Sequence, residues 1–208
     1  MIRGRSFFAA LFTTLTLTGA MAMALETPEY KVLERRDGFE IREYAAHIVA
    51  ETEVDGDGKN AGEEGFRRIA RYIFGANRER TKIAMTAPVT RQESVRIDMT
   101  APVTRTGGQG RFTLRFMMPS RWTLDTLPVP DDARVHLREM PARRMAALGY
   151  SGSWSERRFL DHREKLEKAL RENGLESVGE PEWARYDPPW MPWFLKSNEV
   201  LIELAPAN

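Results

Sequence analysis

The polarity pattern along the chain changes period several times, and each change marks an element. FEIREYAAHIVAETEV, residues 39–54, alternates: Phe39 and Ile41 interleave with Glu40 and Arg42, and Ile48, Ala50, Thr52 and Val54 interleave with Val49, Glu51 and Glu53. Period 2 predicts extended structure. DGDGKNAG follows and reads as a turn-rich loop. It lacks the regularly spaced oxygen ligands and the closing bidentate Glu of a calcium-binding hand. Over residues 63–75, EEGFRRIARYIFG, the period lengthens. Phe66, Ile69, Ala70, Ile73 and Phe74 recur at helical spacing, Glu63 and Glu64 favour the first turn, and Gly75 supplies the stop.

Alternation then returns in a phrase written twice. MTAPVTR occupies 85–91 and again 99–105, an offset of 14 residues. That offset is too short for a stacked solenoid repeat. Ile83, Met85, Ala87 and Val89 form one apolar face, and Ile97, Met99, Ala101 and Val103 form another. The pattern predicts two matched strands joined near Gln92-Glu93-Ser94. Pro88 and Pro102 cannot donate to a ladder, so each predicts an edge or a bulge. The doubled phrase thus reads as a bent structural wall. RFTLRFMMP, 111–119, is a further predicted strand, 120–132 a surface crossing, and 135–152 two strands around Pro141. The long helix, 153–174, presents Trp154, Phe159, Leu160, Leu166, Ala169 and Leu170, and Gly174 closes it. EWARYDPP and NEVLIEL are the last strands, separated by the aromatic turn of Trp190, Trp193 and Phe194. The second half echoes the first, which predicts an α+β domain of two related halves with two helices on one curved antiparallel sheet.

The N-terminus adds a targeting expectation. MIRGR carries two arginines, an uncharged apolar run follows, and Ala22-Met23-Ala24 offers small residues at a cleavage site. This is the pattern of a secretory signal peptide over 1–24, leaving a single domain of 25–208 with a periplasmic or secreted destination. The apolar run is short and threonine-rich for a spanning helix. The chain has 31 basic and 30 acidic residues; the leader holds two of the basic ones and no acidic ones. A near-neutral mature domain gives no electrostatic case for nucleic acid. With no cysteine, disulfides, thiolate metal sites, cysteine nucleophiles and thioether-attached haem are excluded.

The ordered motifs KIAMTAPV after an amphipathic helix, then RFMMPS, then ARYDPPWMPWFLKSNEVLIEL, resemble the SOUL haem-binding family from about Thr27 to Leu204. The resemblance implies a distorted antiparallel β-barrel of two pseudo-symmetric β-α-β-β halves flanked by two helices. A more distant similarity is to the effector-binding domains of bacterial drug-responsive regulators. It also implies reversible, non-covalent binding of haem or another tetrapyrrole in an apolar cleft, for buffering or transport. Carried over by the Arg71-Tyr72 step and the Gly75-Ala76-Asn77 end, the family's helix positions fall on Phe66, Ala70 and Arg71. Arg67 lies one turn before Arg71 and could also meet a propionate. Phe74, Met85 and Met99 complete the apolar candidates.

An axial ligand is the weak point of this reading. Where some family members have a histidine inside the FEIREY phrase, this chain has Glu43. His47 is the one candidate metal ligand, against the plainer reading of a surface histidine. His136 and His162 are expected to face water, and the methionines are more often core filler. Capture is therefore expected to be weak or hydrophobic. The competing readings are a binding module for another flat amphipathic molecule, and a hydrolase or lyase using a cleft carboxylate such as Glu43, Glu51 or Glu199. No Ser-His-acid set can be assembled from three scattered histidines, and no catalytic residue is assigned. The aromatic turn of Trp190, Trp193 and Phe194 is expected to pack on the sheet end or to rim a ligand.

Overall fold

The computed structural model describes residues 25–80, 94–188 and 190–206. In chain order the elements are β1 (Tyr30–Arg36), β2 (Phe39–Tyr44), β3 (His47–Asp55), α1 (Gly58–Ile73), β4 (Asn77–Arg78), β5 (Val103–Gly108), β6 (Arg111–Met117), β7 (Val129–Pro130), β8 (His136–Met140), β9 (Arg143–Ser151), α2 (Glu156–Glu172), β10 (Ser177–Arg185), a one-turn 3-10 helix (Trp193–Leu195) and β11 (Ser197–Leu204). Nine strands form one antiparallel sheet in the order β1-β2-β9-β11-β10-β5-β6-β3-β8; β4 and β7 pair separately. The sheet curls into a half-barrel with the two helices on its convex side.

That order carries the two-fold echo seen in the sequence. Omit β1 and exchange β2 with β8, β3 with β9, β5 with β10 and β6 with β11: the order reads the same in reverse. Each half also lends a strand to the other. β2 pairs with β9, and β8 pairs with β3. The pseudo-dyad passes through the β5–β10 seam, where Val103, Thr104 and Arg105 face Arg185, Ala184 and Trp183.

Alternation divides the sheet into two faces. On the convex face, Ala50, Val54, Phe112, Leu114 and Phe116 meet Ile69, Tyr72 and Ile73 of α1. Phe39, Ile41, Ala146, Trp183, Val200 and Ile202 meet Phe159, Leu166 and Leu170 of α2. Trp183 is 1% exposed and stacks on Phe159 at 5.1 Å between ring centroids. The concave face carries Tyr44, Met145, Ala147, Ala184 and Leu201.

Four sequence expectations change in detail. The stretch 39–54 is two strands, because the chain bends at exposed Ala45 and Ala46 and β2 and β3 join different partners. Tyr30–Arg36, which carries no clear alternation, forms an edge strand on β2. The first helix starts at Gly58, inside the expected loop, since the Asp57 side chain accepts from the Lys59 and Asn60 N–H groups at 3.1 and 2.9 Å. A helix can begin earlier than its apolar period when a good cap precedes it.

The fourth concerns the doubled phrase. Its first copy, with Met85, lies outside the described residues. In the second copy the strand begins only at Val103, and its partners are β6 and β10. The preceding backbone is committed elsewhere: the Ala101 N–H donates to the Glu26 carbonyl at 2.9 Å, and Pro102 has no N–H. The Thr100 hydroxyl donates to the Met117 carbonyl at 2.5 Å. The hairpin that does form, β5 to β6, turns at Gln109-Gly110, with φ of +51° and +88°.

Gly65 sets how closely α1 approaches the sheet. A Cβ there would lie 2.6 Å from Leu114 Cδ1 and 3.1 Å from Leu114 Cγ. Gly65→Val is therefore expected to overpack the first core and destabilise the fold by about 1–3 kcal/mol, read as a lower urea midpoint with unchanged m-value.

Candidate functional site

α1 follows the end of β3 and runs back across β3 and β6. The helix buries Arg68, Ile69, Ala70, Tyr72 and Ile73. Phe66 is half-buried, with its ring 5.4 Å from that of Phe116. Arg68 is held inward by Thr52 Oγ1 at 2.8 Å and the Glu53 carbonyl at 3.0 Å. Phe74, expected on the apolar face, lies at the helix end and is 55% exposed. The Arg96 guanidinium sits 5.5 Å from its ring centroid. Arg71 is exposed and makes no ion pair among the described residues. Arg67 is also exposed and is paired with Glu64 at 2.8 Å. Phe66, Ala70 and Phe74 thus follow one edge of the helix beside Arg67 and Arg71, and Arg96, which sequence reasoning did not single out, joins them from the chain before β5. Met99 packs against the first core and so supports this surface from below.

His47 is on the other side of the sheet. Ile48, Ala50, Thr52 and Val54 point to α1, so odd-numbered His47 and Val49 point to the concave cleft, with Arg115, Met117, Met140 and Met145. Its Nδ1 lies 2.9 Å from the Ala45 carbonyl. The structure therefore does not bring His47 together with Phe66, Ala70, Arg71 and Phe74. His162 is not a free surface residue: its ring stacks on Tyr150 at 4.0 Å. Of the three carboxylates considered, Glu199 and Glu51 lie on the concave side, while Glu43 is exposed to solvent.

The concave cleft is a second candidate, built from residues whose alternation the convex core dictates. Its upper end opens into a cavity of about 520 Å³ bordered by Tyr30, Tyr44, Tyr186 and Glu199. Glu199 accepts two hydrogen bonds from Arg42, at 2.9 and 3.1 Å, and one from the Tyr186 hydroxyl. Arg42 also donates to Tyr44 Oη at 3.1 Å and to Glu40 at 2.8 Å. Lower down, Arg143 bridges Glu182 at 2.7 Å and Glu203 at 3.5 Å. Burial pulls the Arg42 guanidinium down, but the Glu199 hydrogen bonds and charge more than reverse this, so it stays charged. Burial pushes the Tyr44 phenol up to about 12, and burial with the Glu199 charge holds Tyr186 higher still. Both phenols are neutral at ordinary pH. Tyr186 stood inside the YDPP motif and Tyr44 inside FEIREY, yet nothing in the sequence showed that one glutamate would join them.

Because Tyr44 holds its proton above an unfolded value near 10, its contribution to stability is complete below that pH and is lost as pH rises to about 12. Stability should fall between pH 10 and 12, with a share of about 2–3 kcal/mol from Tyr44. Urea midpoints across that range should fall less steeply for Tyr44→Phe.

With fold and geometry in place, the chain can be set beside known proteins. Solved structures with this architecture include the EcmrR C-terminal domain (11% identity, TM-score 0.58, 86% of this chain and 99% of that one). A hydrolase from Listeria innocua also shares it (11% identity, TM-score 0.54, 83% of this chain and 94% of that one). These likenesses are of fold alone. By sequence, the chain is 27% identical over 186 residues to heme-binding protein 1 of Xenopus laevis, covering 84% of this chain and 94% of that one. It is 28% identical over 160 residues to heme-binding protein 2 of Homo sapiens, covering 74% of each. The family described as SOUL heme-binding protein matches residues 25–203, nearly all of the described chain, and the protein belongs to that family.

Proposed function

We propose that this protein binds haem reversibly and without covalent attachment on the exposed edge of α1, and that it serves as an exported haem buffer or carrier. The observation that carries the reading is Phe74, 55% exposed, flanked by Arg96 and by Arg71, which makes no ion pair among the described residues. An exposed aromatic surface beside guanidiniums suits a flat apolar ring with anionic propionates. Phe66, Ala70 and Phe74 would meet the ring, and Arg71 and Arg96, with Arg67 behind, the carboxylates. Met85, a further apolar candidate of the sequence, lies outside the described residues. Family membership supports haem as the ligand; the SOUL relatives are heme-binding proteins by name. No histidine shares this edge among the described residues, so hydrophobic contact and charge, without a histidine ligand, would hold the molecule.

A second reading rests on the concave cavity and its tyrosines, which would suit another flat amphipathic molecule. The two are separable by mutation because they lie on opposite faces of the sheet. Residues 1–24 support export, and among the described residues no helix is long and apolar enough to cross a membrane.

Haemin titration followed at the Soret band should show saturable one-to-one binding. Arg71→Glu should weaken it at least tenfold, the scale of one lost charge-assisted contact, and Phe74→Ala should weaken it as well. His47→Ala and Glu199→Gln should leave the affinity unchanged; loss of binding in either would move the site to the concave cleft. Expressed with its leader in a Gram-negative host, the protein should be recovered from the periplasm with Leu25 as its first residue, read by intact mass.

A further inference from the structure

The pseudo-dyad brings the starts of both helices together above the β5–β10 seam. Arg105 and Arg185 occupy matching positions there, each one residue beyond the central Thr104–Ala184 pair on its own strand. Arg105 is 5% exposed and satisfied: it donates to the carbonyl of Gly58, the first residue of α1, and to the carboxylate of Glu156, the first residue of α2. Arg185 has no such partner. Its guanidinium lies 4.0 Å from the Trp183 ring and 5.2 Å from that of Trp154, and it makes no hydrogen bond or ion pair among the described residues. The asymmetry has a visible cause. Where α2 begins with a glutamate, α1 begins with Gly58, and a Cβ there would already lie 3.0 Å from Arg105 Nη1. The carboxylate that symmetry would supply to the second arginine is missing.

Other groups near Arg185 are unsatisfied as well. Tyr150 Oη, Trp154 Nε1, Trp183 Nε1, Arg158 Nε and Arg185 Nε are buried donors without a hydrogen-bond partner, beside one unpartnered acceptor, Asn198 Oδ1; Arg158 Nη2 donates to the Ser151 carbonyl. Arg185 of β10 and Tyr150 of β9 flank Asn198 of β11 in register, and Arg158 reaches Ser151, the residue after Tyr150. Burial pushes the Tyr150 phenol up to about 12, so it remains a donor. Lys196 approaches the same Trp154 ring at 3.9 Å. Burial, and then repulsion from Arg105, pull Arg185 down to about 10. Two helix N-termini add their positive ends. Water could satisfy orphaned donors, but it could not neutralise the charge. Native proteins rarely leave several buried donors unmet in one place.

We propose that the seam between the two helix starts is an anion site, in which Arg185, Arg158 and Tyr150 hold a small oxyanion, the phosphate or carboxylate group of a ligand. The planar guanidinium forks favour a multidentate oxyanion over chloride. The site lies on the α2 side of the sheet and is independent of haem capture by α1.

Thermal unfolding of the domain 25–208 would be followed in sodium phosphate, sodium acetate and sodium chloride at matched ionic strength, with tryptophan emission as a second readout. Phosphate or acetate should raise Tm saturably, by about 3–5 °C at ten times Kd, and should change the emission of Trp183 and Trp154; whichever anion acts at lower concentration identifies the group. Arg185→Gln should abolish the saturable rise while unfolding cooperatively in chloride. Glu156→Gln, which removes the one competing carboxylate, should lower the anion concentration needed several-fold. No saturable rise in the wild type, an equal rise in chloride, or an unchanged rise in Arg185→Gln would overturn the proposal.

Discussion

Three residue pairs across the β5–β10 seam join the two halves of the sheet, and the arrangement of everything else follows from that join. A seam this short would be a weak hinge by itself. It is reinforced because each half donates a strand to the other: β2 closes on β9, and β8 closes on β3. Trp183 at the seam is fully buried and lies beside both Arg105 and Arg185. One indole thus serves the second core, through Phe159, and the charged joint between the helix starts. The halves cannot separate without exposing it.

Once the seam and the exchanged strands define the curvature, alternation distributes the chemistry. The buried apolar residues of the convex face pack on α1 or α2, so their chain neighbours must face the concave side or water. Arg42, Tyr44, Glu182, Tyr186 and Glu199 reach the cleft for that reason. Their charges are matched within it, Arg42 to Glu199 and Arg143 to Glu182. A buried pair of this kind is weak as a source of net stability but costly to break on one side. It therefore acts mainly to keep the cleft in one arrangement. The edge of α1 is the opposite case: Arg71 makes no ion pair among the described residues, and Phe74 is 55% exposed with only Arg96 near its ring, an aromatic-cationic edge that an external ligand can use.

The sequence by itself determined much of this protein. Period 2 in 111–119 and period 3.6 in 63–75 and 153–174 produced β6 and the two helices, because burial against a single core leaves no other way to place those apolar residues. The echo between the halves carried the fold class, and the motifs KIAMTAPV, RFMMPS and ARYDPPWMPWFLKSNEVLIEL carried the family. Helical spacing put Phe66, Ala70 and Phe74 on one side of α1, while Arg71 was singled out only by the family resemblance.

Only the tertiary structure decided the rest. Helical spacing said that Phe74 shares a side with Ile73, but not that the last turn would overrun the sheet and leave its ring in solvent. The repeated MTAPV spelling suggested self-pairing; the second copy instead gives its strand to β6 and β10, because Pro102 and the Ala101 N–H are withdrawn from any ladder at its start. His47 looked close to Glu43 in sequence, yet a bend at Ala45-Ala46 put the two on strands with different partners. Partners far apart in sequence, such as Arg42 with Glu199 and Arg105 with Glu156, leave no local periodic trace. Local polarity fixes which way a side chain turns from its own element, whereas what it meets there depends on how distant elements are brought together.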